Sequence, residues 1–351
     1  MSDWLIYRGT GEPDPERIGA LPPPPPWRNF EGGPLVGAAP PVDPASTRRL
    51  GERAVPLPTE DEKALQLINA ALYLRRPLLV TGEPGSGKST LAHAVAHELG
   101  LGRVLPWPVV SRTELKDGLY AYDAIGRLQD AQLSGESGPG GGPGSAAAGP
   151  GSAAAQDGIG RYIRLGPLGT ALLPAERPRV LLIDELDKSD LDLPNDLLNA
   201  LEEGEFGIPE LERIADRPGQ EQVEVLDDDG RRVPVVGGRV RCRAFPFVVM
   251  TSNGEREFPA PLLRRCIHLD LAPPRDERLA AMVQAHFGPG ADERHLDLIG
   301  LFTQGTRAGE LRPTDQLLNA IFLTQYAARE EHGRREDIAE LLMRPLDQRQ
   351  R

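Results

Sequence analysis

Lysine is scarce in this chain: Lys63, Lys88, Lys116 and Lys188 are the only four among 351 residues. With 40 Lys and Arg against 52 Asp and Glu, the formal net charge is −12, and the basic residues are spread along the chain. A protein that holds nucleic acid through its phosphates needs the opposite sign, so nucleic acid is not expected as the main partner. Cysteine is scarcer still. Cys242 and Cys266 make neither a disulfide framework nor a zinc site. No apolar run approaches the ~18 residues of a membrane span, so no membrane is expected. The opening MSDWLIYRGT lacks the basic and then apolar order of a secretory signal. The expectation is a soluble, cytoplasmic protein of roughly two domains of about 150 residues each.

The stretch with the strongest signal is Pro77–Thr90, PLLVTGEPGSGKST. A short apolar strand ends at Thr81, and the residues Gly82, Glu83, Pro84, Gly85, Ser86, Gly87, Lys88, Ser89 and Thr90 follow. A helical pattern then has Leu91, Ala92, Val95 and Leu99 on one face. Strand, glycine loop and helix fit G-x-x-x-x-G-K-[ST]. Gly82, Gly85 and Gly87 let successive N–H groups turn toward phosphate oxygens, and the helix N-terminus adds its positive end. Lys88 is expected to reach the β/γ-phosphates and Ser89 to complete a Mg²⁺ shell. The pattern predicts a nucleoside triphosphate site.

Residues 1–58 read as an extended, Pro-rich segment. Trp4–Tyr7 could form one short strand, and Pro22–Pro26 should be polyproline II. The segment is either a plain linker or a docking strap anchored by Trp4, Ile6, Tyr7, Trp27 and Phe30; in a chain only 5% aromatic, that clustering favours the strap. Residues 59–272 read as an α/β core opening on a helix capped at Thr59. Val104–Val110 is expected as a second strand, and Asp117–Gln132 is ambiguous between loop and helix. Ser134–Ala155 is Gly, Pro, Ser and Ala apart from Glu136, too apolar-poor to offset its ordering entropy, and is expected to be disordered. Val223–Val240 is expected as a hairpin with turns at Asp227–Gly230 and Gly237-Gly238. Residues 273–351 form a separate helical domain, with a turn near Gly305–Gly309 and a stop at Arg344-Pro345.

Val180-Leu-Leu-Ile-Asp184-Glu185 should be a buried strand of a parallel sheet with its acidic end beside the phosphate loop. Asp184 there would hold Mg²⁺, and Glu185 would polarise an attacking water. Asn253 ends the Phe245–Met250 strand, where an amide can orient that water. Arg264 and Arg265 close a short helix and can point outward at a neighbour's nucleotide. Arg312, before the apolar Leu317–Ile321 helix, could reach the γ-phosphate. His93 and His97 have metal-ligand spacing but no third ligand, and the acidic run at Asp227 lacks the calcium-loop pattern.

The order of phosphate loop, Asp-Glu strand, Asn strand end, arginine and helical lid resembles the AAA+ ATPases, specifically the MoxR family, over roughly residues 59–345. Gly166-Pro-Leu168, Thr251-Ser-Asn253 and Leu263-Arg-Arg-Cys266 carry the finer likeness. Asp117–Leu165 and Val223–Arg243 look like that family's helix-2 insertion and hairpin. The family reads Leu-Asp-Arg-Phe where this chain has Leu263–Cys266, so Arg265 aligns with its arginine finger and Arg264 replaces an acidic residue. The resemblance implies a three-layer α/β ATPase core with a helical lid, ATP and Mg²⁺, and a homo-hexameric ring. It further implies remodelling of a protein client, commonly with a von Willebrand factor A domain partner. Ile6–Gly11 and Pro22–Arg28 are similar to MoxR-like components of bacterial conflict gene clusters. Two other readings stay open: an ATP-dependent regulatory switch with incidental turnover, and a P-loop small-molecule kinase.

Overall fold

A computed structural model of the chain describes residues 4–41, 44–51, 62–135, 158–274, 276–307, 312–327 and 341–343. Eleven strands are assigned among them: β1 Leu78–Thr81, β2 Leu105–Pro108, β3 Tyr120–Tyr122, β4 Ile163–Leu165, β5 Val180–Asp184, β6 Glu205–Gly207, β7 Gln222–Leu226, β8 Arg232–Val236, β9 Arg239–Arg241, β10 Phe247–Ser252 and β11 Ile267–Asp270. The helices of six residues or more are α1 Pro44–Leu50, α2 Glu62–Leu74, α3 Lys88–Glu98, α4 Ala124–Gly135, α5 Asp192–Glu203, α6 Ala260–Arg265, α7 Asp276–Phe287, α8 Leu296–Arg307 and α9 Thr314–Ala327.

The central sheet has the order β11-β1-β10-β5-β2, and every pair in it is parallel. Its inner strands β1, β10 and β5 read as apolar runs because both faces are covered, whereas the edge strands β2 and β11 carry exposed residues. Leu78, Val80, Leu182 and Val249 face a cluster with α2, α3 and the N-terminal segment. Leu79, Leu181, Ile183 and Met250 face a second cluster with α5 and the strands of another sheet. The result is a three-layer α/β sandwich. A third apolar cluster, built from Leu279, Val283, Phe302, Leu317, Ile321 and neighbours, binds the C-terminal helices to one another.

The six-stranded second sheet, β3-β4-β7-β8-β9-β6, contains the hairpin expected at Val223–Val240. The ambiguous Asp117–Gln132 stretch resolves into the short helix Leu115–Leu119, β3 and most of α4. α4 runs to Gly135, two residues into the segment expected to lack order. The rest of that segment, the Thr59 cap and the Arg344-Pro345 stop lie outside the described residues. α8 continues through Gly305 to Arg307, so there is no turn at Gly305, and Gly309 lies outside the described residues.

The N-terminal segment is a strap. Trp4–Tyr7 forms no strand; a side chain takes the partner strand's place. Asn69 of α2 accepts from the N–H groups of Ile6 (2.7 Å) and Tyr7 (3.0 Å). It also donates to the carbonyls of Tyr7 (2.7 Å) and Leu65 (2.8 Å). Buried Glu98, at the end of α3, accepts from the N–H groups of Arg8 (2.7 Å), Thr10 (2.8 Å) and Gly11 (3.2 Å). Leu21 (φ −66°, ψ 126°) and Pro25 (φ −53°, ψ 145°) are extended, but Pro26 opens a short 3₁₀ turn, Pro26–Arg28, so the expected polyproline II run stops at Pro25. Phe30 stacks on Phe245 at 5.7 Å, with the Arg28 guanidinium 4.3 Å from the Phe245 centroid. Trp27 differs from the expected anchors: it is 73% exposed.

Candidate functional site

β1 ends at Thr81, and the chain enters a loop that only glycine accommodates at three points. Gly82, Gly85 and Gly87 have φ of 148°, 80° and 91°, values that strain any residue with a Cβ. Gly85 is also closed in from outside, since a Cβ there would lie 2.7 Å from Pro313 Cα. α3 begins at Lys88, so the free N–H groups of its first turn face the loop. Ser86 Oγ is buried in the loop and has no hydrogen-bond partner among the described residues. Lys88 Nζ donates to the carbonyls of Gly82 (2.8 Å) and Glu83 (2.9 Å). Burial holds its ammonium below the ordinary lysine range, with Asp187, Asp184 and Glu185 acting against that shift. A buried cation beside the free N–H groups of the loop and helix start suits an anion with several oxygens.

The acidic strand end meets this loop directly. Ser89 Oγ donates to Asp184 Oδ1 at 2.6 Å, and Thr251 Oγ1 donates to the same oxygen at 2.6 Å. Thr251 Oγ1 also accepts from the Glu185 N–H at 2.9 Å. One hydroxyl on β10 thereby fixes both Asp184, the last residue of β5, and Glu185, the residue after it. β10 lies between β1 and β5, which carries Asn253 to the same end of the sheet. Glu185 adopts φ 60°, ψ 46°, the left-handed region disfavoured for a non-glycine residue. Such strain at a strand end is characteristic of functional positions. Its carboxylate pairs with Lys188 Nζ at 2.6 Å. The buried Asp187 accepts the Asn253 N–H at 2.8 Å.

The C-terminal helices and the strap close the loop from the other side. Thr314 Oγ1 donates to the Gly85 carbonyl at 3.0 Å. Arg312, two residues earlier, donates to the Leu301 carbonyl at 3.2 Å, within the helical group. A cavity beside Gly85–Gly87 is lined by Tyr7 of the strap, Leu50 of α1, Leu91 of α3, and Arg278, Met282 and His286 of α7. The sequence pattern gave no reason to bring Tyr7, Leu50 or Arg278 here, because each belongs to a segment remote from the loop.

The structure brings Gly82–Thr90, Asp184, Glu185 and Asn253 to one end of the central sheet. It does not bring Arg264 or Arg265 there. The Ile267 N–H donates to the Pro77 carbonyl at 2.9 Å, which sets the start of β11 beside the start of β1. In a parallel sheet that is the end opposite the phosphate loop. Arg265 pairs with Glu202 of α5, and the Arg264 guanidinium donates to the Ala260 carbonyl at 3.3 Å. Sequence reasoning missed Asp187, Lys188 and the role of Thr251. The run Asp184-Glu-Leu-Asp-Lys188 held the signal for the first two, since a residue three beyond a strand-end carboxylate returns to the same side of a helical turn.

Among the described residues, no group of three or more His, Cys, Asp or Glu side chains could hold a metal by itself. No described helix is long and apolar enough to cross a membrane. No family model matches the chain, and no curated protein sequence matches it. Among solved structures it is similar to NtrX from Brucella abortus, determined in complex with ADP, at 14% identity and a TM-score of 0.37. The match covers 79% of this chain and 53% of that one, so it spans about half of NtrX.

Proposed function

We propose that this chain is an ATP-hydrolysing AAA+ ATPase of the MoxR type that remodels a protein partner as a hexameric ring. The observation that carries the reading is the 2.6 Å hydrogen bond from Ser89 to Asp184 beside the glycine loop. It joins the hydroxyl and the carboxylate that a Mg²⁺–nucleotide needs side by side. The loop N–H groups of Gly82–Thr90 would take the phosphates, and Ser86 Oγ has a hydrogen bond to give them. Lys88 would exchange the carbonyls of Gly82 and Glu83 for β/γ-phosphate oxygens. Ser89 and Asp184 offer the hard oxygen ligands that Mg²⁺ prefers, and the ion when bound supplies positive charge against the phosphates. Glu185 would take a proton from the attacking water, and the Asn253 amide would orient that water.

The mostly apolar cavity formed by Tyr7, Leu50, Leu91 and Met282 suits the base, with Arg278 of α7 on its lid side, and Arg312 would reach the γ-phosphate from the helical group. Arg265, at the far end of its own sheet, would serve a neighbouring subunit's nucleotide, with Arg264 as the adjacent candidate. A von Willebrand factor A domain protein is the partner class that the sequence resemblance implies, and the setting is cytoplasmic. One observation favours the alternative of a nucleotide-dependent switch: the Glu185 carboxylate is engaged by Lys188 at 2.6 Å.

Two measurements test the reading. Lys88→Ala should weaken ATP binding by about 10- to 100-fold, the cost of losing charge-assisted contacts to phosphate. Wild-type affinity in that variant, read by titration calorimetry, would remove the phosphate-site assignment. Light scattering on Glu185→Gln with ATP should give the mass of about six chains and a smaller mass without it. A monomer under both conditions would end the ring and the trans-acting role of Arg265.

A further inference from the structure

β10 leaves the sheet after Ser252, so the N–H groups that follow have no ladder partner. Two of them, on Asn253 (2.8 Å) and Glu255 (3.1 Å), converge on a single oxygen, Asp187 Oδ2. Gly254, at φ 77°, lets the chain curl around that carboxylate. On the other side, the left-handed Glu185 turns the chain into the short helical turn Leu186–Lys188, which carries Asp187 back beneath the strand end. Arg256 ties the same two segments a second time, donating to the Ser189 carbonyl at 2.8 Å. Asp187 is 2% exposed, and its other oxygen has no hydrogen-bond partner among the described residues. A carboxylate is buried at this cost only where its hydrogen bonds are strong. Here those bonds fix the backbone of the residue whose side chain the site needs.

We propose that Asp187 is a positioning residue for hydrolysis, setting the backbone of Asn253 so that its amide faces the phosphates and acting on turnover chiefly through Asn253. The inference rests on the hydrolytic reading above. In that arrangement the acidic turn and the loop at Asn253 move as one body, and loss of the carboxylate frees the amide while the phosphate loop keeps its nucleotide.

The test is a double-mutant cycle on the full chain, with kcat and KM for ATP measured for Asp187→Ala, Asn253→Ala and their combination. Asp187→Ala should lower kcat about ten- to hundredfold with KM within about threefold, as an effect on the reacting geometry requires. The combined variant should be no more than about twofold slower than Asn253→Ala, because the two act as a unit. Asp187→Asn, whose amide oxygen still accepts both N–H groups, should recover to within about fivefold of wild type. Additive losses, an Asp187→Asn variant as slow as the alanine, or an effect confined to KM would each overturn the proposal. Should Asp187→Ala fail to melt cooperatively, Asp187→Ser takes its place, keeping an acceptor too short to reach both N–H groups. Glu185→Gln separates the two levels. Wild-type turnover in that variant removes Glu185 as the base, and with it the hydrolytic arrangement on which the inference rests, whereas an inactive Glu185→Gln beside an additive cycle removes the positioning role alone.

Discussion

Glu185→Gln should bind ATP about as tightly as the parent chain and hydrolyse it about a hundredfold to ten-thousandfold more slowly, the span a positioned general base contributes. The substitution keeps the shape of the side chain and removes its charge and its capacity to take a proton. The backbone at φ 60° and the tie from the Glu185 N–H to Thr251 are indifferent to that change, so the site should stay assembled. The Glu185 side chain is 44% exposed and lies against Lys188 at 2.6 Å. Solvent therefore screens the pair, and the carboxylate can leave Lys188 for a water at little cost. Phosphate release read against nucleotide retained on the protein gives both halves of the result. Full turnover with glutamine at 185 would rule out Glu185 as the base. A slow variant that still acts fully on its partner when ATP is bound would favour the switch.

The contiguous parts of this site were legible in the sequence, and the assembled parts were not. Gly82–Thr90 could be read because strand, loop and helix follow one another without interruption. Asp184 could be placed because four apolar residues before it demand burial on both faces. That the Asn253 strand neighbours β5 was open to inference; that it also separates β5 from β1 was not, since sheet order is set by packing of all the helices together. The strands β3, β4, β6 and β9 are three residues each, too short to impose a periodicity, so most of the second sheet was hidden. Tyr7 was visible as a candidate anchor, but its place beside the phosphate loop depends on Asn69, a polar residue on the buried face of α2. A hydrophobic pattern cannot announce such a clamp. Trp27 misled for the opposite reason: an aromatic beside prolines resembles an anchor whether or not a surface meets it.

The largest stability effect should come from Asp229→Ala, about 3–5 kcal/mol, the usual result of removing one partner from a buried ion pair. The turn at Asp227–Gly230 was expected as a hairpin connection and is one, but its acidic residues face inward. Asp229 Oδ2 meets Arg179 at 2.8 Å, with side chains 1% and 5% exposed, and Asp229 Oδ1 meets Arg103 at 2.7 Å. Arg231 joins at 3.2 Å and donates to the Ala38 carbonyl at 2.6 Å. The network thus ties the β7–β8 hairpin, the entrance to β5 and the strap into one unit. Without Asp229, Arg179 is left charged and buried. Burial by itself would push the Asp229 carboxyl up, but the bonds and charges of Arg179 and Arg103 outweigh it and hold the group below the ordinary carboxylate range. A depressed folded-state pKa contributes stability that is fully present above the unfolded value of about 4 and is lost as pH falls through the lower folded value. The melting temperature of Asp229→Ala should accordingly lie roughly 5–15 °C below the parent from pH 5 to 8, and the gap should narrow below about pH 4. Calorimetric scans across that range decide it: an unchanged melting temperature, or a gap that widens on acidification, would show that the inward-facing turn is no anchor of the fold.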